Sequence, residues 1–168
     1  MKHLILIRHG QSEWNQQKRF TGWVDVGLTD KGRAEAKKAG ELIKEKKIKL
    51  DSFYSSYQKR ANDTLKIVMK ELNEDENLIT KKWQLNERHY GELTGLNKED
   101  MKKKYGEEKI HQFRRSWDVK PGALDRKSPY HPLNIDTYKD IPVTDIPDTE
   151  SLKDTHKRVV DCYNELIL

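Results

Sequence analysis

Leu4-Ile5-Leu6-Ile7-Arg8-His9-Gly10 is the stretch that decides how this chain reads. Four apolar residues in unbroken succession, with no polar alternation, have the signature of a strand buried on both faces of a parallel sheet. The run predicts a strand over residues 3–8 that ends abruptly in a guanidinium, an imidazole and a glycine. In open α/β sheets, ligands bind outside the carboxyl ends of the strands. Arg8 and His9 would therefore enter a cleft, where such a pair can bind a phosphoryl group and also attack it.

Outward from that strand, helical and extended patterns alternate. Gly22 and Gly27 punctuate a polar loop. Thr29 or Asp30 can cap a helix over about residues 30–47, with Ala36, Ala39, Gly40 and Ile43 facing inward. A second strand is expected over about residues 50–55. A helix over about residues 58–73 should bury Ala61, Leu65, Val68 and Leu72. A third strand over about residues 79–84 leads into Asn86-Glu87-Arg88-His89-Tyr90-Gly91. Strands alternating with helices imply βαβ units. The expected class is α/β, a mostly parallel sheet flanked by helices on both faces.

Beyond Asn97, residues 98–116 read as helical with a break near Gly106. Residues 118–148 hold all five prolines and predict an irregular, lid-like segment, since a loop of that length inside a compact domain usually has a function. Thr149 is expected to cap a last helix with Leu152, Val159, Tyr163 and Leu166 along one face. The whole chain, 1–168, reads as a single domain.

Composition narrows the class. Charged residues make up 36% and the net charge is +5. The lysines alternate with acids, as in Lys44-Glu45-Lys46, which predicts a solvated surface and not a nucleic-acid-binding stripe. No apolar run approaches the roughly 20 residues of a membrane span, and Leu4–Ile7 is too short for a signal-peptide core. The single cysteine, Cys162, forms no internal disulfide and fits a reducing, cytoplasmic setting. The histidines other than His9 lack metal-ligand spacing, so no metal site is expected. Trp14, Trp23, Trp83 and Trp117 are expected to pack, and Cys162 to sit inert on or beside the apolar face of the last helix.

Phosphoryl transfer through histidine needs an imidazole with one nitrogen free and the other held as a donor. A backbone carbonyl just after the strand could hold it, with Gly10 allowing close approach. It also needs forked cations on the phosphate oxygens and a proton donor or acceptor. Arg8, Arg60 and Glu87 all follow predicted strands, and so share one rim with His9.

These residues carry a resemblance. Leu6-Ile7-Arg8-His9-Gly10-Gln11-Ser12-Glu13-Trp14-Asn15 resembles the signature of the histidine phosphatase superfamily. The longer pattern is similar to the cofactor-dependent phosphoglycerate mutases, through Phe20-Thr21-Gly22-Trp23, Leu28-Thr29-Asp30-Lys31-Gly32, Lys59-Arg60-Ala61, Asn86 to Gly91, Gly95-Leu96-Asn97-Lys98, Arg114-Arg115 and Glu150-Ser151-Leu152-Lys153-Asp154-Thr155. It runs from residue 2 to about 160. The resemblance implies that His9 is the phosphorylated nucleophile and Glu87 the general acid/base. It implies that Arg8, Asn15 and Arg60 hold the phosphoryl group, assisted by Gly10, Ser12, Thr21 and Gly22. Arg88, Tyr90, Lys98, Arg114 and Arg115 would bind the other anionic groups of the substrate. It further implies 2,3-bisphosphoglycerate as phosphoryl primer, small phosphoglycerates as substrates, no metal, and a homo-oligomeric parent.

The chain also departs from the pattern, because the second His-Gly-Asn-Ser-like motif of the family, on a further strand, does not occur in it. The sheet is therefore expected to lack its C-terminal strand, leaving the first strand with an unpaired edge and exposed apolar surface. A fragment of a longer mutase is the leading reading, ahead of a degenerate product or a segment supplied by another chain. The 168-residue chain alone is expected to be a poor catalyst. The rival functions are a histidine phosphatase acting on another phosphomonoester, which would not require Lys98, Arg114 and Arg115, and a non-catalytic remnant that binds phosphate esters.

Overall fold

A computed structural model describes residues 3–167. Its short opening helix, α1 (Glu13–Gln16), is followed by α2 (Asp30–Glu45), β1 (Phe53–Ser55), α3 (Lys59–Leu72), β2 (Ile79–Lys81), α4 (Lys98–Tyr105), α5 (Glu107–Arg115) and α6 (Leu152–Ile167). The class is α/β. β1 and β2 pair in parallel, Phe53 opposite Ile79, and α3 makes the crossover between them. The helices fall close to where their patterns put them. Thr29 caps α2 by accepting from the Gly32 amide, and Gly106 parts α4 from α5.

The first predicted strand is the main correction. Residues 3–8 form no strand, and their backbone has no ladder partner among the described residues. Leu4 and Ile7 are exposed, and Leu6 is 85% exposed. An apolar run records the capacity to be buried on two faces, but a strand exists only against a neighbouring ladder. The other two strands are also shorter than their patterns. The third gives way at Lys82 to a 3-10 turn, Trp83–Leu85, which puts Asn86 and Glu87 on a loop.

Side-chain burial follows the helical stripes only in part. In α2, Ala36 and Gly40 are buried as expected. In α3, Ala61, Leu65 and Leu72 are only half-buried, whereas Arg60, Asn62 and Thr64 are buried with Val68 and Met69. The polar face of α3 is the one that turns inward, because it serves the site described below. α6 is capped by Ser151 and not by Thr149. The Ser151 hydroxyl accepts from the Asp154 amide at 3.2 Å while Asp154 accepts from the Ser151 amide at 2.9 Å. Thr149 instead donates to the Pro121 carbonyl. Along α6, Leu152 is exposed, and Cys162 is buried, which pushes its thiol pKa up.

Two small cores hold the molecule together. Phe20, Leu93 and Ile110 form one, with Tyr90, Met101 and Phe113 against it. Trp23, Tyr138, Ile141 and Ile146 form the other. The segment 118–148 is irregular as expected, built on short 3-10 turns, yet it contributes three of those four buried side chains. It is anchored by the Tyr138 hydroxyl on the Trp23 carbonyl and by Thr137 on Asp25. Trp14 and Trp23 are buried, but Trp117 is exposed, its ring edge-on to His156.

His131 of this segment and His89 lie fully buried, ring centres 6.2 Å apart. His131 accepts from the Leu133 amide at Nδ1, so its Nε2–H donates to Asp148. Burial, with the neighbouring His131, pushes His89 down to about 3 from its ordinary 6.5. The folded state thus keeps His89 neutral while the unfolded chain takes up a proton below pH 6.5. Stability is complete above that value and drains away as pH falls from it towards 3, by up to ~1.4 kcal/mol per pH unit. Asp148, held low by its hydrogen bond to Arg126, adds acid sensitivity only below its ordinary 3.8. Urea midpoints between pH 6.5 and 4 should therefore fall steeply. His89→Asn, which keeps an acceptor for the Gly91 amide, should flatten that slope; an unchanged slope would remove His89 as its source.

Candidate active site

His9 is held from three sides. The Gly10 amide donates to Thr64 Oγ1 of α3 at 3.2 Å, and the Gln11 amide to Glu35 of α2 at 2.8 Å. Gly10 lies so close to the first turn of α2 that a Cβ there would meet the Gly32 carbonyl at 2.1 Å, so only glycine fits. Arg60 Nε approaches His9 Nε2 at 3.3 Å. An arginine can only donate, so Nε2 must accept. The proton then sits on Nδ1, which donates to the Gly10 carbonyl at 2.7 Å. The Arg60 contact, brought in from α3, thus fixes which nitrogen carries the proton. Burial lowers the His9 pKa, and the Arg60 and Arg8 charges act the same way, so the ring is neutral near pH 7 with its Nε2 lone pair directed at the Arg60 side.

Arg60 is the hub. Its side chain is 0% exposed. It donates to the carbonyls of Val24 (2.9 Å) and Gly22 (2.8 Å) and to Glu87 Oε2 (2.8 Å). One guanidinium thus joins the nucleophile candidate, the loop 20–24 and the acid/base candidate. Glu87 stays one-third exposed, open to solvent and so to a substrate. Gly22 turns with φ +54 and sits against Tyr90, which lets its carbonyl face both Arg60 and Gln58.

The residue pattern of this site matches the histidine phosphatase superfamily (branch 1) over residues 4–131. The 2,3-bisphosphoglycerate-dependent phosphoglycerate mutase of Pelagibacter ubique is 66% identical over 97% of this chain, which covers 68% of that protein. The chain belongs to the phosphoglycerate mutase family of the histidine phosphatases. The mutase of Bacteroides fragilis is 47% identical over 99% of the chain and 67% of its own length. Among solved structures, a mycobacterial glucosyl-3-phosphoglycerate phosphatase superposes with a TM-score of 0.67 at 21% identity, over 95% of this chain and 60% of that one. Bacillus stearothermophilus YhfR superposes with 0.65 at 23%, over 95% and 64%. At those identities the structures show the shared fold. The chain spans about two thirds of the length of these relatives.

The remaining mutase-family positions divide. Arg88, Tyr90, Lys98 and Arg114 come together beside Glu87. Arg88 donates to the Arg114 carbonyl at 2.9 Å and lies 5.0 Å over the Tyr90 ring. Burial raises the Tyr90 pKa, and Glu87 adds to it. Burial lowers that of Lys98, helped by Arg114. Among the described residues, Arg88 Nη1 and Thr21 Oγ1 are each buried without a hydrogen-bond partner. Ser12 and Asn15 are engaged with each other as the capping box of α1, so their main hydrogen bonds shape the loop. Arg8 and Arg115 are exposed, and neither makes a side-chain hydrogen bond or ion pair among the described residues.

Gln58 and Arg158 shape the site and carry no signal in the sequence. Gln58 Nε2 donates to the Gly22 carbonyl at 2.8 Å, and its Oε1 accepts from the Glu87 amide at 3.1 Å. Arg158 of α6 donates to the carbonyls of Gln84 and Glu87 while pairing with Glu150, and Glu150 accepts from the His89 amide. The resemblance drew attention to Glu150, but neither spacing nor periodicity pointed to the ion pair or to Gln58.

Proposed function

We propose that this chain carries the phosphoryl-transfer site of a phosphoglycerate mutase, interconverting 3- and 2-phosphoglycerate through a phosphohistidine at His9. The observation that carries this reading is the tautomer of His9, proton on Nδ1 and lone pair on Nε2, with Arg60 bridging it to Glu87. Nε2 attacks phosphorus as a neutral amine, and Gly10 stabilises the Nδ1–H as the ring gains positive charge. Arg60, with Arg8 at the rim, neutralises the phosphate oxygens. Glu87 takes the proton from an attacking hydroxyl and returns it to a leaving one. When bound, 2,3-bisphosphoglycerate supplies the phosphoryl group that loads His9. Its second phosphate and its carboxylate suit Arg88, Lys98 and Arg114, because three cations are more than a simple phosphomonoester needs. The reaction uses no metal and the setting is cytoplasmic. Among the described residues no helix is long and apolar enough to cross a membrane.

The test is labelling. Incubation with 2,3-bisphosphoglycerate carrying labelled phosphate should give an acid-labile phosphohistidine that discharges to phosphoglycerate faster than to water. His9→Ala should abolish the label. Label persisting in that variant would remove His9 from its role, and predominant release of inorganic phosphate would make the site a phosphatase.

A further inference from the structure

Gln58 occupies the N-cap position of α3, where Ser, Thr, Asp or Asn normally satisfies the free amides of the first turn. Its side chain makes no cap bond. The cap is supplied from elsewhere, since Asp25 Oδ1 accepts from the Lys59 amide at 2.6 Å. The Gln58 amide, 2% exposed, is left for something else. It spans two loops of the site, donating to Gly22 and accepting from Glu87. Tyr138 of the 118–148 segment reaches the same amide and donates its own proton to Trp23.

We propose that Gln58 is a positioning residue for the acid/base group, fixing the backbone of Glu87 against the Gly22 turn so that its carboxylate meets Arg60 and the reacting oxygens. The peptide flanks of Glu87 are then held from both sides, its N–H by Gln58 and its carbonyl by Arg158 at 3.1 Å. Both contacts are to the Glu87 backbone. An amide suits the task because one group offers an acceptor and a donor in a single plane, with no charge beside Glu87 and Arg60. Among the described residues the half-buried Glu87 N–H has no other partner, and a carboxylate on an untethered loop would lose its register with His9. This rests on the proposed role of Glu87, so the test includes a readout that does not depend on catalysis.

Gln58→Met keeps the volume and the unbranched shape while deleting both hydrogen bonds, and Gly22 retains its bond from Arg60. Turnover should fall about tenfold or more with KM within about twofold of wild type. Hydrogen exchange at the Glu87 amide should quicken. Gln58→Glu, which keeps an acceptor, should preserve the protection of the Glu87 amide. Turnover within twofold of wild type, a loss confined to KM, or a lower Tm with the exchange of the Glu87 amide unaltered would each overturn the proposal. If the wild type forms no phosphohistidine, the mutase reading fails separately. The exchange result then decides whether Gln58 holds the Glu87 backbone.

Discussion

Arg60→Met should cut phosphorylation of His9 by at least about 10²–10³-fold, the range seen when one preorganised donor is removed from a developing anion. The effect should sit at the upper end, because this guanidinium serves more than the phosphate oxygens. It holds the Val24 and Gly22 carbonyls, orients Glu87, and keeps His9 Nε2 from taking a proton. Removing it leaves the Val24 carbonyl without that donor, at a cost of about 1–3 kcal/mol. Glu87 adds little to that loss, since it remains partly solvated. The His9 imidazole should titrate higher in the variant by NMR, because one of the charges that lowers its pKa is gone. Arg60→Lys should recover only part of the rate, as a point charge cannot reach the carbonyls and Glu87 together. Labelling of Arg60→Met within tenfold of wild type would reduce Arg60 to a structural residue.

Arg158→Met should destabilise the protein by about 3–5 kcal/mol, measured by urea denaturation at pH 7. Arg158 and Glu150 form a nearly buried pair with Nε–Oε1 at 2.7 Å, and the guanidinium lies over Trp23. Deleting the cation alone strands a carboxylate in the interior and removes the donors of Gln84 and Glu87. Neutralising Glu150 to glutamine in the same chain should restore part of the loss, since an uncharged amide can still accept from His89. A single-variant loss under about 1 kcal/mol would show that water reaches the pair. The effect on the site should follow from the fold, because α6 is bound to the loop of Glu87 through this side chain.

Both expectations depend on contacts that differ in how readable they are. His9, Arg60 and Glu87 drew attention because each follows a predicted strand, and the structure brings their side chains together, while Arg8 stays apart and exposed. The helices were legible because their stripes and caps are local, as with Thr29 and the break at Gly106. Residues 3–8 misled because a strand is not local: its pattern is written in one segment and its ladder in others. The inward face of α3 misled for a related reason. Apolar spacing pointed to Ala61 and Leu65, while the tertiary fold buried Arg60, Asn62 and Thr64 around their own hydrogen bonds.

By itself, then, the sequence determined the α/β class, the helices, the irregular character of residues 118–148 and the residue types able to move a phosphoryl group. The tertiary structure alone decided the protonated nitrogen of His9, which arginines gather beside Glu87, and the contacts of Gln58 and Arg158. The reason is physical. Periodicity and capping act over a few residues, whereas a tautomer or a buried hydrogen bond is set by which distant groups arrive within about 3 Å of one another.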